Sequence, residues 1–149
     1  MGTQTGVIGV GYEGQEVDSF VAGLAAWEVS TLVDVRLNPI SRKRGFSKNA
    51  LREALEAAEI SYIHDPSLGN PKDNREGYGE VESDAGRSAR STFVALMENA
   101  AAQDALDRIV EIAAVSRVAV MCFEESELHC HRGQVLKALR DRLDVLTPV

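Results

Sequence analysis

The residues able to do chemistry gather in a few short stretches. Cys122, Glu124, His129, Cys130, His131 and Arg132 lie close together near the C-terminus and include both cysteines of the chain. A thiol that opens a helix sits in the positive field of the helix N-terminus, which lowers its pKa toward the nucleophilic thiolate. Cys130 holds such a place before a helical pattern and is the candidate nucleophile. His131 and Arg132 beside it add donors to the free backbone N–H groups of the helix start, an arrangement that binds anions. Glu124 follows Cys122 by two residues and is a candidate general acid or base if its pocket desolvates it. Cys122 itself reads as packing, since buried free cysteine is common.

A second stretch is Asp34-Val35-Arg36. Residues two apart on a strand project to the same side. Arg36 could therefore clamp an anion while Asp34 acts as base or acceptor. The plainer alternative is an ion pair at the rim. Tyr12 and Glu13 follow the first predicted strand and could line the same crevice. His64 ends the third predicted strand and reads as a satisfied strand-end histidine.

Charge is unevenly distributed. The net charge of the chain is −7, yet Arg36, Arg42, Lys43, Arg44 and Lys48 form a segment without an acid, leaving −12 for the remainder. An acidic body with one basic segment points to a local anion site and disfavours a wide nucleic-acid footprint. Aromatic residues make up only 5% of the chain, which gives little support for base stacking along an extended strand. The expected partner is a small anionic or nucleotide-like ligand.

Several other chemistries fail on spacing. A rhodanese or tyrosine phosphatase loop closes on an arginine five or six residues after its cysteine. Glu127 and Leu128 stand there after Cys122, and Val135 and Leu136 after Cys130. Cys122, His129, Cys130 and His131 are suitable metal ligands, but adjacent Cys130 and His131 at a helix start point poorly at one ion. Gly9-Val10-Gly11 with Gly14 matches a dinucleotide fingerprint only in its glycines, and Glu13 would face the pyrophosphate. No metal and no cofactor is expected.

The elements that must position these residues follow from periodicity. The 149 residues, 44% hydrophobic and 26% charged, suit one globular domain spanning 1–149. Strands are predicted over 5–10, 31–35, 60–64 and 117–123. Helical spacing covers 17–29 and 48–58, the latter with Ser47 as N-cap. One interrupted helix or two is expected over 89–115, and a last helix over 130–143. The glycine-rich stretch 65–88 reads as a loop, either a lid or a linker. Alternating strands and helices imply a three-layer α/β fold, a mostly parallel sheet with helices on both faces. Ligands in such folds bind beyond the carboxyl ends of the strands, where nearly every reactive group named above falls. No apolar run reaches the length of a membrane span, and the opening residues carry no signal-peptide pattern, so a cytoplasmic protein without a structural disulfide is expected.

The glycine-rich opening with Gly11-Tyr12-Glu13, then Asp34-Val35-Arg36, Pro39, Ser41, Phe46, Leu68-Gly69, Cys122-x-Glu124 and Cys130-His131-Arg132, resembles the domain of unknown function DUF488. The resemblance covers almost the whole chain and is most specific at its cysteine segments. Many relatives read Gly-His-Ser where this chain has Gly11-Tyr12-Glu13, and a second glycine often stands at the place of Asn70. The resemblance implies an α/β fold with a polar pocket and no known reaction. On these grounds the expected function is an enzyme for a phosphorylated or nucleotide-like substrate, with Cys130, Asp34 and Glu124 catalytic and Arg36, Arg132, His131 and Tyr12 binding. The alternative is a non-catalytic module for nucleic acid or an anionic ligand.

Overall fold

A computed structural model of the chain describes residues 5–70, 74, 83–122 and 131–140. The elements run in the order β1 (Gly6–Gly11), α1 (Val17–Ala26), β2 (Val29–Asp34), α2 (Lys48–Ala57), β3 (Ser61–His64), α3 (Asp84–Leu96), α4 (Ala100–Ala113), β4 (Arg117–Cys122) and α5 (Arg132–Arg140), with a 3₁₀ turn Pro66–Leu68 after β3. The four strands form one parallel sheet in the order β1-β4-β2-β3.

Alternation along the strands builds two cores. Val7, Val33, Val35, Val118 and Val120 face one side, where Phe93, Leu106, Ile109, Val135 and Leu136 of α3, α4 and α5 cover them. Ile8, Leu32, Ala119 and Met121 face the other, under Phe20, Leu24, Leu51 and Leu55 of α1 and α2. Side chains on a strand alternate between faces, so near-continuous apolar strands are what a sheet covered on both sides requires. The pairing of β2 with β4 shifts between Val29 and Thr31, and this irregularity lets Val29 and Leu32 serve the same core.

The connections decide where a ligand could sit. Chain leaving β1 and β2 passes to the α1/α2 face, whereas chain leaving β3 and β4 passes to the α3–α5 face. β4 lies between β1 and β2, whose outgoing chains take the opposite face, and ligands of such sheets bind at a switch of this kind, beyond the carboxyl ends of the strands; here that end of β4 is flanked by Gly11 and Asp34.

Local signals account for most boundaries. The break between α3 and α4 is set by Asn99, whose side chain accepts from the Ala102 N–H, so there are two helices. The loop predicted over 65–88 is shorter at its end. Ser83 caps α3 by accepting from the Gly86 N–H, which starts the helix at Asp84 despite its glycine and polar residues. Ser47 stands at the N-cap of α2 but makes no capping bond there; its hydroxyl closes the preceding loop instead. Among the described residues, no helix is long and apolar enough to cross a membrane.

Candidate functional site

Asp34 ends β2 and is fully buried. Its Oδ1 accepts the backbone N–H of Arg36 at 3.0 Å and Arg36 Nε at 2.9 Å. Its Oδ2 accepts Arg36 Nη2 at 2.7 Å and the Tyr62 hydroxyl at 2.6 Å. The fork of the guanidinium thus meets the carboxylate with two parallel bonds, the strongest geometry available to this pair. The remaining nitrogen, Nη1, donates to the Phe46 carbonyl at 2.7 Å and to Tyr12 Oη at 3.1 Å. Tyr12 stacks on Phe46 with ring centroids 4.4 Å apart, and Phe20 meets both rings edge-on.

Burial of an arginine opposes its charge, but the hydrogen bond and charge of Asp34 outweigh that, and the Arg36 pKa is held above its ordinary value. Burial and the bond to Asp34 likewise push the Tyr62 hydroxyl well above the usual phenol range, so it remains a neutral donor. The charged pair is therefore a fixed internal structure whose opposite charges compensate each other.

What it fixes is the basic segment. Arg36 holds the far end of the loop by the Phe46 carbonyl. Ser47 Oγ accepts the Ser41 N–H and donates to the Ser41 carbonyl, while Ser41 Oγ accepts the Lys43 N–H. The Lys48 N–H reaches Pro39 O at 2.9 Å. Gly45 adopts φ +88° beside α1, where a Cβ would lie 2.7 Å from a Val17 methyl, so only glycine suits the turn. Arg42, Lys43 and Arg44 on this braced loop, and Lys48 at the start of α2, have no ion-pair partner among the described residues.

Two histidines grip the chain between strand and loop. His64 Nε2 lies 2.7 Å from the Arg36 carbonyl, and His131 Nε2 lies 2.9 Å from the Val35 carbonyl. A carbonyl only accepts, so each ring carries its proton on Nε2, and in neutral His64 the basic atom is Nδ1. Phe93 packs edge-on against the His131 ring. Arg132, buried in the first turn of α5, donates from Nη1 to the Val10 carbonyl and lies 3.5 Å from Cys122 Sγ.

Of the residues expected at the site, Asp34, Arg36, Tyr12, His131 and Arg132 all lie at the carboxyl rim of the sheet. Asp34, Arg36 and Tyr12 form one bonded cluster. His131 and Arg132 approach from α5 and reach the ends of β2 and β1. Cys130 and Glu124 lie outside the described residues. Cys122 is buried in the core as expected, but it is disulfide-bonded, contrary to the expectation of reduced cysteines. Sequence reasoning passed over Tyr62 and the Phe46 carbonyl. Tyr62 was open to detection, because parallel pairing of the second and third strands sets Leu32 beside Tyr62 and Asp34 beside His64. A backbone carbonyl leaves no such signal in side-chain type. The Asp65–Arg108 pair, at 2.7 Å, was passed over too and ties the turn after β3 to α4.

The family model of a domain of unknown function, DUF488, matches residues 16–139. The chain belongs to that family. The match begins just before α1 and takes in the Asp34–Arg36 cluster, the basic loop and most of α5. No curated protein and no solved structure matches this DUF488 chain.

Proposed function

We propose that this DUF488 protein binds a phosphorylated or nucleotide-like ligand at the carboxyl rim of its sheet, with the cations of the loop around Arg42 receiving the phosphate. One observation carries the reading. Three cations of a loop that a buried arginine and two serines hold in shape, with a fourth at the start of α2, have no ion-pair partner among the described residues. Lysine and arginine side chains lose much rotamer freedom on binding, and a braced backbone reduces the rest of the ordering cost. The acidic remainder of the molecule confines the attraction to this side.

Catalysis by the same protein has narrower support. His64 offers Nδ1 at the rim as a proton acceptor. Cys130 as nucleophile in the reduced protein and Glu124 as acid or base rest on the sequence. Asp34 has four donors on its two oxygens, which suits a positioning role better than proton transfer.

Titration with inorganic pyrophosphate and with adenosine triphosphate at several salt concentrations tests the binding. Saturable binding that weakens with salt is expected, and the R42A/K43A/R44A variant should bind at least roughly tenfold more weakly with a shallower salt slope. Equal affinity in the variant overturns the reading. For catalysis, the reduced protein is titrated with a charged alkylating agent. A Cys130 thiol pKa near the free-cysteine value, about 8.5, removes the nucleophile and leaves a binding module.

A further inference from the structure

Away from the loop, β1 forms one edge of the sheet among the described residues, and its outer side faces a groove of about 270 Å³. The groove runs between β1 and α1 and is lined by Ile8, Gly9, Val10, Phe20, Leu24 and Trp27 among others. Cofactor and drug-sized sites begin near 300 Å³, so this volume suits one or two side chains better than a nucleotide.

The ladder shows which backbone groups look outward. The Gly6 N–H bonds to the Ser116 carbonyl, and Gly6 pairs with Arg117. In a parallel ladder the groups of alternate residues face the same neighbour, so Gly6, Ile8 and Val10 bond to β4. Val7, Gly9 and Gly11 then point their N–H and C=O groups to the free side. Gln15 confirms that direction, since its Nε2 caps the Gly11 carbonyl at 3.1 Å. The outward groups of Val7 and Gly9 have no partner among the described residues. Folded proteins usually guard a free edge with charge, proline or a bulge, and Gly6–Gly11 carries none of these.

Charge supplies the third observation. The first 35 residues contain no lysine or arginine. Glu16 and Glu28, both exposed, directly follow the lining residues Gln15 and Trp27, and exposed Asp18 lies on the first turn of α1. Arg117, paired with Gly6 at the start of β1, donates to the Trp27 carbonyl next to Glu28, so Glu16 and Asp18 at the other end of the groove carry the negative charge without a cation bonded there among the described residues.

We infer that the free edge of β1 accepts an extended peptide segment of a partner protein, one in which an apolar residue has a basic residue two places before it and another two places after it. Its backbone pairs with Val7 and Gly9, the apolar side chain enters the groove against Trp27, and the two basic residues, which a strand projects to the same face as the apolar one, reach Glu16 and Asp18 at one end of the groove and Glu28 at the other. Main-chain bonds supply affinity in this mode, and the pocket for alternate side chains supplies selectivity.

The probe is a capped heptapeptide, Thr-Lys-Thr-Leu-Thr-Lys-Thr, added to the full chain; its leucine and both lysines share one face of an extended strand. Trp27 is the only tryptophan, so its fluorescence reports the groove alone. A saturable change is expected, with slowed hydrogen exchange at the Val7 and Gly9 amides. Gly23 of α1 also lines the groove, and a Cβ there would meet no atom within 4 Å, so Gly23→Leu adds bulk at the groove without a backbone clash and should weaken binding at least roughly tenfold. Replacing each lysine of the peptide by glutamate should weaken it as well. The inference is overturned by no saturable change at about millimolar peptide, by equal affinity for a peptide N-methylated on alternate residues, or by equal affinity of Gly23→Leu. Self-association through β1 that excludes the peptide overturns it too.

Discussion

Arg36 has a carboxylate, a phenol and a carbonyl around its guanidinium, whereas Arg42, six residues further on, has no ion-pair partner among the described residues. The two stand on one loop and divide its labour. A charge enclosed with its counter-charge fixes a shape and has little attraction left for a ligand. A charge left at the surface adds little to stability and keeps its reach toward an anion. In this molecule the first kind brings the second kind to the rim of the sheet.

Removing the partner of the buried cation should have the largest effect. Asp34→Asn leaves Arg36 uncompensated and is expected to lower unfolding free energy by about 3–5 kcal/mol, read from a urea midpoint at constant slope. A loss below about 1 kcal/mol would mean that the pair is not holding the fold. Arg36→Lys keeps the charge but not the fork, and a loss of about 2 kcal/mol is expected, together with faster amide exchange through residues 40–46. Exchange that stays slow would show that the serines brace the loop unaided.

Tyr62→Phe removes a single hydroxyl donor from Asp34 and should lower stability by about 1 kcal/mol. It should also change the alkaline limb. In the folded protein the Tyr62 pKa lies above its ordinary value, near 10, so the unfolded chain gives up that proton first. The contribution is fully present below about pH 10 and is lost as pH rises beyond it. The variant should therefore lose stability less steeply there, and an unchanged slope would deny the coupling. The R42A/K43A/R44A variant closes the series. Its unfolding free energy should stay within about 0.5 kcal/mol of the parent while phosphate affinity falls. A large loss of stability would erase the distinction between the two kinds of charge.

Much of this arrangement was legible before any coordinates. The apolar runs at 5–10, 31–35 and 117–123 and the helical spacing of Leu51, Ala54 and Leu55 lead directly to a parallel sheet between helices. The convergence of Asp34, Arg36, Tyr12, His131 and Arg132 on one rim follows from that topology. Partner choice within the rim was harder to read. Asp34 and Arg36 project to the same side in either case, and only the positions of Tyr62, Tyr12 and the Phe46 carbonyl turn a clamp for ligand into an internal tie. Ser47 was misread for a similar reason. A serine before a helix ordinarily caps it, but here a neighbouring serine six residues back competes for the same hydroxyl.

The strand order has a consequence for how the chain comes together during synthesis. β2 and β3 pair with only α2 between them in sequence. β1 pairs only with β4, more than a hundred residues later. The first strand must therefore wait, without its native neighbour, until Arg117–Cys122 leaves the ribosome and slots between it and β2. Contacts so distant in sequence slow folding and prolong exposure of unpaired strand edges. A nascent chain halted before residue 117 should accordingly depend on holdase chaperones, and one extended past α5 should not.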